Sequence, residues 1–168
     1  MLKDRFEALL GQILPAASQV YGSRLVSVVV FGSVARGTPR FDSDVDLLLV
    51  IRELPDGRTK RMATFEAVEN QLLGDLASLA REGISTELSP LLRTPEEVLE
   101  GGLIYLDMVE DARVLLDDGE FFASFLGGLR RRLAQLGSKR IRHGNTWYWV
   151  LKPDLKPGEV FELGPLGS

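Results

Sequence analysis

The segment from Val28 to Ile51, VVVFGSVARGTPRFDSDVDLLLVI, places a glycine loop and three alternating aspartates between two apolar runs. RLVSVVVF before the loop and DVDLLLVI after it are short and rich in branched aliphatic residues, which predicts two buried strands. If both strands are buried, the loop and the aspartates lie where the strands meet. This segment therefore predicts a polar site built directly onto the core.

The glycine loop has the physical features of an anion-binding turn. GSVARG matches the first half of a phosphate-binding loop, but Thr38 and Pro39 follow where Lys and Ser/Thr are required, so a P-loop ATPase is disfavoured. A glycine turn between a strand and a short helix still presents free backbone N–H groups to an anion. Gly32 permits close approach of the backbone, and Ser33 adds a hydroxyl donor. The alternative is a tight turn that is merely rich in glycine.

The aspartates predict a cation. Asp44 and Asp46 are two residues apart at the second strand, so their carboxylates point into the same volume while Val45 and Leu47 anchor the opposite face. Like charges repel there unless a cation lies between them, and oxygen ligands without His or Cys favour Mg²⁺. A solvated acidic strand edge is the alternative. An anion loop followed by a carboxylate pair predicts a site for a metal-bound nucleoside triphosphate.

The segment FGSVARGTPRFDSDVDLLLV resembles the signature of the DNA polymerase β-type nucleotidyltransferase superfamily, hG[GS] followed by D-x-D, and especially its minimal, antitoxin-like group. The resemblance implies an α/β (α+β) nucleotidyltransferase fold with a mixed β-sheet flanked by helices. It also implies transfer of a nucleoside monophosphate from a Mg²⁺-bound triphosphate, with ATP favoured, at a two-metal site. The implied metal ligands are Asp44 and Asp46, and the implied nucleotide-binding residues are Gly32, Ser33, Arg36 and Gly37.

Two charged residues of the loop have open roles. Arg36 either neutralises phosphate or braces the loop through a salt bridge to Asp42 or Asp44. Asp42 follows Pro39, where the strand is only beginning, and we interpret it as a turn residue.

The resemblance implies a third carboxylate on a neighbouring strand, which binds metal and acts as general base. In ISTELSPLL, Ser85, Glu87 and Ser89 alternate onto one face, so Glu87 is the candidate for both roles. Aspartate is commoner at that place, and a solvent-facing glutamate is the alternative. If Glu87 is not the base, catalysis is weak or absent.

The rest of the chain predicts one domain over residues 1–163, with a tail or cloning remnant at 164–168. Helical periodicity or capping predicts helices at 3–20, 57–82, from Thr94, 106–109 and 120–136, and alternation predicts strands at 84–92, 112–116 and near 146–150. The absence of cysteine, of a signal peptide and of a long apolar run predicts a cytoplasmic protein with no membrane partner.

Charge is unevenly distributed along the chain. The net charge is −4, yet Phe121 to Pro153 contains seven basic residues and no acidic one, which leaves a balance of −11 elsewhere. Arg130, Arg131 and Arg132 are expected on a helix face, and Lys139, Arg140 and Arg142 on the loop after it. The segment either is solvated surface, or steers an anionic partner, or adds positive potential near the Gly32 loop. The acidic body makes a long nucleic acid partner unfavourable.

The single histidine and three aromatic residues lie together near the C-terminal end of the chain. Trp147 and Trp149 share one face of the terminal strand and Tyr148 lies opposite. This pattern indicates either side chains that cover the hydrophobic core or a surface on which a base or a partner stacks. His143 is interpreted as a surface residue.

Two classes of function remain open from the sequence. The first is an active nucleotidyltransferase whose acceptor is a hydroxyl of a small molecule or of a protein, such as a small helical HEPN-type toxin. The second is a catalytically weak module that binds nucleotide or docks to a partner.

Overall fold

The computed structural model describes residues 1–164, so most of the tail predicted at 164–168 lies outside the described residues. The helices are α1 (Leu2–Tyr21), α2 (Gly32–Ala35), α3 (Arg58–Arg81), α4 (Pro95–Glu100), α5 (Met108–Asp111) and α6 (Phe121–Leu136). The strands are β1 (Leu25–Phe31), β2 (Val45–Ile51), β3 (Leu88–Arg93), β4 (Arg113–Asp117), β5 (Lys139–His143) and β6 (Thr146–Val150). Short 3-10 turns lie at Gly22–Arg24, Leu103–Tyr105 and Asp118–Glu120.

The main sheet has the order β3-β2-β1-β4 and is mixed. Strand β1 is antiparallel to both β2 and β4, whereas β2 and β3 are parallel. Helices pack on both faces of this sheet, because α1 and α3 bury apolar residues against one face and α6 buries phenylalanines against the other. The predicted class, a mixed β-sheet flanked by helices, is confirmed.

Strand β2 is buried on both faces, which explains its continuous apolar sequence. Leu47 and Leu49 pack towards α1 and α3, while Leu48 and Val50 pack towards α6. Asp46 is on the same strand face as Leu48 and Val50, at the end of the strand where the helical cover stops. The apolar residues thereby fix the direction in which the Asp46 carboxylate points.

The helix predicted from Thr94 is confirmed, and the capping sequence explains it. The Glu97 N–H donates to the Thr94 hydroxyl, the Glu97 carboxylate accepts from the Thr94 N–H, and Pro95 occupies the first helical position.

The strand predicted from Ile84 begins only at Leu88. Before that point the chain bonds to the loop that precedes β2, since the Ser85 N–H donates to the Phe41 carbonyl at 2.8 Å. Pro90 lies within β3 and lacks a backbone donor, which an edge strand tolerates.

The segment expected as a loop after α6 is a strand, because β5 and β6 form a hairpin, while Lys139 and Arg142 are exposed as expected for solvated residues. Gly144, at φ +62°, and Asn145 form its two-residue turn. Arg140 pairs with Trp149 and Arg142 with Trp147 in the register, so these four side chains share one face of the hairpin. His143 is exposed, as expected.

Across residues 1–164, no helix combines the length and the apolar character that a bilayer crossing requires.

Candidate functional site

The geometry of the site begins with the contact between Gly32 and Asp46. Phe31 pairs with Asp46 across β1 and β2, so the first residue of α2 lies against the Asp46 side chain. Gly32 has φ +71°, and a Cβ at this position would lie 2.1 Å from Asp46 Oδ2. Any other residue here would meet both an unfavourable backbone conformation and the carboxylate. Glycine therefore allows the loop backbone to approach Asp46 closely.

Two carboxylates converge beside this turn. Burial and the neighbouring charge of Asp44 raise the pKa of Asp46 above its usual value, and the Arg36 charge and a hydrogen bond from Ser89 only partly oppose that shift. The Asp44 Oδ1 atom accepts the Glu87 backbone N–H at 3.2 Å, which orients that side chain from β3's side. The site thus holds two carboxylates whose mutual repulsion is incompletely compensated by the protein.

Hydrogen bonds within the loop hold its shape. The Ser43 hydroxyl accepts from the Ser33 hydroxyl at 3.2 Å and from the Arg40 N–H at 2.8 Å. The Thr38 N–H donates to the Ser33 carbonyl at 3.0 Å, and Gly37, at φ +73°, makes the turn between them. These bonds fix the segment that joins the glycine turn to the aspartates.

Of the two roles left open for Arg36, the salt bridge to Asp42 or Asp44 does not form. Arg36 instead lies 3.6 Å from the Asp111 carboxylate of α5, and Asp42 is exposed with a long contact of 3.9 Å to Arg40. The Arg36 guanidinium also lies over the Trp147 ring, 4.6 Å from its centroid. The alternative role of Arg36, contact with phosphate, stays a prediction.

Glu87 lies immediately before β3 and is exposed. Its carbonyl accepts the Val45 N–H at 2.9 Å, and its own N–H bonds to Asp44, so its backbone is fixed beside the carboxylate pair. Within residues 1–164, no three side chains of His, Cys, Asp or Glu come together closely enough to hold a metal ion. Ser89 is the in-register neighbour of Asp46 on β3. The role of Glu87 as third ligand and base stays a prediction.

A cavity of about 680 Å³ opens at Asp46, between β3 and the start of α3. Phe31, Met62 and Ile104 supply apolar walls, and the site carboxylate stands at its edge. The remaining lining residues are mostly charged or belong to β3, namely Asp56, Gly57, Arg58, Arg61, Ser89, Pro90, Leu91, Leu92, Arg93 and Glu97. Arg61 is held by a bidentate pair with Glu97, at 2.8 Å for both hydrogen bonds.

Sequence reasoning missed two aspartates, Asp111 in α5 and Asp107 immediately before that helix. Asp111 accepts from Arg140 at 3.0 Å, and Asp107 Oδ1 accepts from the indole N–H groups of Trp147 at 2.7 Å and Trp149 at 2.9 Å. The signal available in the sequence was the pair of tryptophans on one strand face, since buried indoles need acceptors. Which carboxylate accepts them follows only from the tertiary fold.

Comparison with known proteins gives a family and one curated relative. A sequence model described as nucleotidyltransferase domain matches residues 10–110. A protein of Methanocaldococcus jannaschii, provisionally named a protein adenylyltransferase, is 28% identical over 141 residues, which are 83% of this chain and 90% of the relative.

Two crystal structures of toxin–antitoxin proteins are also similar. A mutant of MntA-HpeT has 18% identity and a TM-score of 0.43, with 74% of this chain and 88% of that chain covered. A toxin–antitoxin with AMP-PNP has 12% identity and a TM-score of 0.37, with 82% and 97% covered. These likenesses are too weak to transfer any property to this chain.

Proposed function

This chain belongs to the nucleotidyltransferase domain family and is a nucleotidyltransferase, and on that premise we propose that it transfers AMP from Mg²⁺-bound ATP to a hydroxyl of a protein or small-molecule acceptor. The provisional name of the archaeal relative favours a protein acceptor. In the reaction the acceptor oxygen bonds to the α-phosphorus of ATP, the bond from that phosphorus to the bridging oxygen breaks, and pyrophosphate leaves. The acceptor hydroxyl loses its proton to a base.

The observation that carries this proposal is the position of Asp46. Its carboxylate is pressed against the Gly32 backbone, and its pKa is raised by burial and by the second carboxylate. A protein that keeps two repelling acids beside an anion-binding turn gains from a ligand that brings positive charge and phosphate together. A metal-bound triphosphate has both.

The residues fit a Mg²⁺ ion in part. Asp44 and Asp46 supply oxygen ligands of the type that Mg²⁺ prefers, and the glycine turn leaves the space beside Asp46 open. Glu87, beside Asp44, is the candidate third ligand. When bound, Mg²⁺ would neutralise charge on the triphosphate and on the leaving pyrophosphate.

The protein's own residues have separate roles in this proposal. Gly32 and Ser33 present backbone N–H groups to the triphosphate, Gly37 shapes the loop through its own N–H bond to the Val34 carbonyl, and Arg36 adds positive charge. Glu87 accepts the proton of the acceptor hydroxyl, and the cavity at Asp46 receives the acceptor. Phe31 and Ile104 give the acceptor side apolar walls.

A second candidate function is a catalytically weak module that binds nucleotide or docks to a partner. It is favoured by one observation: within the described residues, the two aspartates have no third carboxylate clustered with them. Turnover of the wild type separates the two functions, and Glu87→Gln then tests the base. An active enzyme that uses Glu87 as base should keep most of its affinity for Mg²⁺-ATP, because Asp44 and Asp46 remain as ligands, and should lose roughly 10²-fold or more in turnover. Unchanged turnover would assign the base to another group.

Thermal stability tests nucleotide binding directly. Mg²⁺-ATP at about 100 times its Kd should stabilise the wild type by about 2.7 kcal/mol, or about 5–10 °C for a chain of this size. ATP without Mg²⁺ should give a clearly smaller shift, and Asp44→Asn with Asp46→Asn should lose the Mg²⁺-dependent gain.

Asp42→Asn is the matched control. It removes an aspartate from the same segment, but Asp42 is exposed, and among residues 1–164 its carboxylate makes only the long contact to Arg40. The control should therefore keep the full Mg²⁺-ATP shift. Equal shifts with and without Mg²⁺ in the wild type, or equal losses in Asp42→Asn and the double variant, would contradict the proposed site.

The resemblance to antitoxin-like nucleotidyltransferases also predicts a small helical partner of the HEPN type. Co-expression with the product of the neighbouring gene, followed by intact-mass analysis of that product after incubation with Mg²⁺ and ATP, would test this partner. An adenylyl adduct on the partner supports it. An unmodified partner that does not bind the chain contradicts it.

A further inference from the structure

The C-terminal hairpin contacts the glycine loop through the Trp147 side chain. Trp147 lies on β6, and the guanidinium groups of Arg36 and Arg140 lie over its ring at 4.6 Å and 4.0 Å from the centroid. The family match ends at residue 110, so this tryptophan belongs to a part of the chain outside the matched nucleotidyltransferase region. The hairpin therefore lies outside the matched region, beside the loop.

The Trp147 ring is itself held in place. Its indole N–H donates to Asp107 Oδ1 at 2.7 Å, and the indole of Trp149 donates to the same oxygen at 2.9 Å. Trp149 also packs against the apolar cluster beneath α6. Two hydrogen bonds to one carboxylate anchor the inner face of the hairpin to the segment before α5, which fixes the ring that Arg36 meets.

Arg36 is oriented by Trp147 and Asp111, while its guanidinium N–H groups stay available to a ligand. Arg140 bonds to the Asp111 carboxylate at 3.0 Å, whereas Arg36 stands 3.6 Å from it, beyond hydrogen-bond length. Across residues 1–164 the Arg36 side chain donates no hydrogen bond to a protein group, although it is only 28% exposed. A guanidinium in this state is prepared to bind a planar or tetrahedral anion with several N–H donors.

The space around Arg36 can accept such an anion. A cavity of about 880 Å³ lies between the glycine loop and the hairpin, and both Arg36 and Trp147 line it. Arg36 is four residues beyond Gly32 on the same turn, so this cavity adjoins the loop on which the triphosphate would lie.

We propose that Trp147 is a positioning residue that holds the Arg36 guanidinium for the terminal phosphates of the nucleotide, so that the C-terminal hairpin forms part of the nucleotide site. The inference rests on the proposed function, because Arg36 must meet phosphate for its position to matter. Trp147 acts through Arg36 by fixing its guanidinium over the ring before nucleotide arrives. Pre-organisation of this kind lowers the ordering cost of binding.

The test measures the Kd of Mg²⁺-ATP by calorimetry for the full chain. Trp147→Leu removes the ring and should weaken binding about three- to tenfold, the range that a partly desolvated cation–π contact supports. Trp147→Phe keeps a ring over which the guanidinium can lie and should recover most of that loss. Tyr148→Leu removes the neighbouring aromatic, which is 52% exposed on the opposite face of the hairpin, and should bind like the wild type.

A double-mutant cycle separates positioning from a general structural effect. In an Arg36→Gln background, Trp147→Leu should change the Kd by less than about twofold, since the group that the ring positions is gone. Melting temperatures of all variants show whether the hairpin change has affected the fold, and the Trp147→Phe comparison applies even if the leucine variant is destabilised.

Two results would overturn the inference alone. In the first, the wild type binds Mg²⁺-ATP and both Trp147→Leu and Trp147→Phe bind it with the same Kd. In the second, Trp147→Leu weakens binding by the same factor whether or not Arg36 is present. A wild type that binds no nucleotide would instead refute the proposed function, and this inference with it.

Discussion

Replacing Gly32 with alanine tests the close approach of the loop to Asp46, and the structure predicts a loss of function without an unusual loss of stability. The added Cβ would lie 2.1 Å from Asp46 Oδ2, 3.1 Å from Cγ and 3.4 Å from Cβ of that side chain. Only the terminal oxygen is in severe overlap, and a carboxylate can rotate away at little cost. The oxygen must move by about 1 Å to reach an ordinary contact distance.

The stability cost of Gly32→Ala should come mainly from the backbone. A non-glycine residue at φ +71° costs about 1–2 kcal/mol, which corresponds to about 2–8 °C in the melting temperature of a chain of this size. Gly83→Ala is the matched control, because Gly83 has φ +83° and a Cβ added there would meet no atom of a non-neighbouring residue within 4 Å. Both variants should therefore lose similar stability.

The two variants should differ in function. A displacement of about 1 Å at a reacting group can cost on the order of 10²-fold in rate, and the rotated carboxylate would also weaken its contact with the metal-bound nucleotide. Thermal shifts with Mg²⁺-ATP and rates of AMP transfer should fall in Gly32→Ala and stay near the wild type in Gly83→Ala. A Gly32→Ala protein with the full Mg²⁺-ATP shift and rate would refute the proposed role of this contact.

Three further predictions concern charge. The raised pKa of Asp46 means that the folded protein holds this proton more tightly than the unfolded chain does, so the stability that it contributes is present at low pH and is lost as pH rises through the raised pKa. In metal-free buffer, the melting temperature of Asp46→Asn should therefore rise relative to that of the wild type between acid and neutral pH. The opposite trend would contradict this. Arg61→Met should destabilise the fold by about 1–2 kcal/mol, because the Arg61 side chain is 12% exposed and its hydrogen bonds hold the pKa of Glu97 below its usual value. The loss of stability should shrink as pH falls through that lowered pKa. A loss that does not depend on pH would exclude the ion pair as its source. Arg142→Glu should slow the association of Mg²⁺-ATP, mostly at low salt, because Arg142 lines the cavity beside Arg36 and, among the described residues, its side chain bonds only to the Gly144 carbonyl. Association rates measured by stopped flow that do not change would leave Arg142 without an electrostatic role.

The features that sequence predicted well are those fixed within a short segment. The apolar runs around the loop specify β1 and β2, and the capping residues Thr94 and Glu97 specify the start of α4. Asp46 points away from the α1 side of the sheet because the strand alternates, which follows from sequence period alone. The contact with Gly32 likewise joins the end of one strand to its antiparallel neighbour.

The features that sequence did not predict depend on contacts between distant segments. The ion partner of Arg36 is Asp111, and nothing in the local pattern around either residue indicates the other. The segment from Lys139 to His143 is strongly basic and looks solvated, but pairing with β6 turns Arg140 inward to Asp111. The late start of β3 has the same origin, since Ser85 bonds to Phe41 in a loop.

The central claim, transfer of a nucleoside monophosphate at the Asp44 and Asp46 pair, is tested most directly by following the two ends of ATP. The chain is incubated with Mg²⁺, with an extract that supplies acceptors, and with ATP radiolabelled either at the α-phosphate or at the γ-phosphate. The account predicts that the α label becomes covalently attached to an acceptor while the γ label is released as pyrophosphate, and that Asp44→Asn with Asp46→Asn abolishes attachment. Attachment of the γ label, undiminished attachment by the double variant, or the absence of any attachment above an extract without the protein would contradict it.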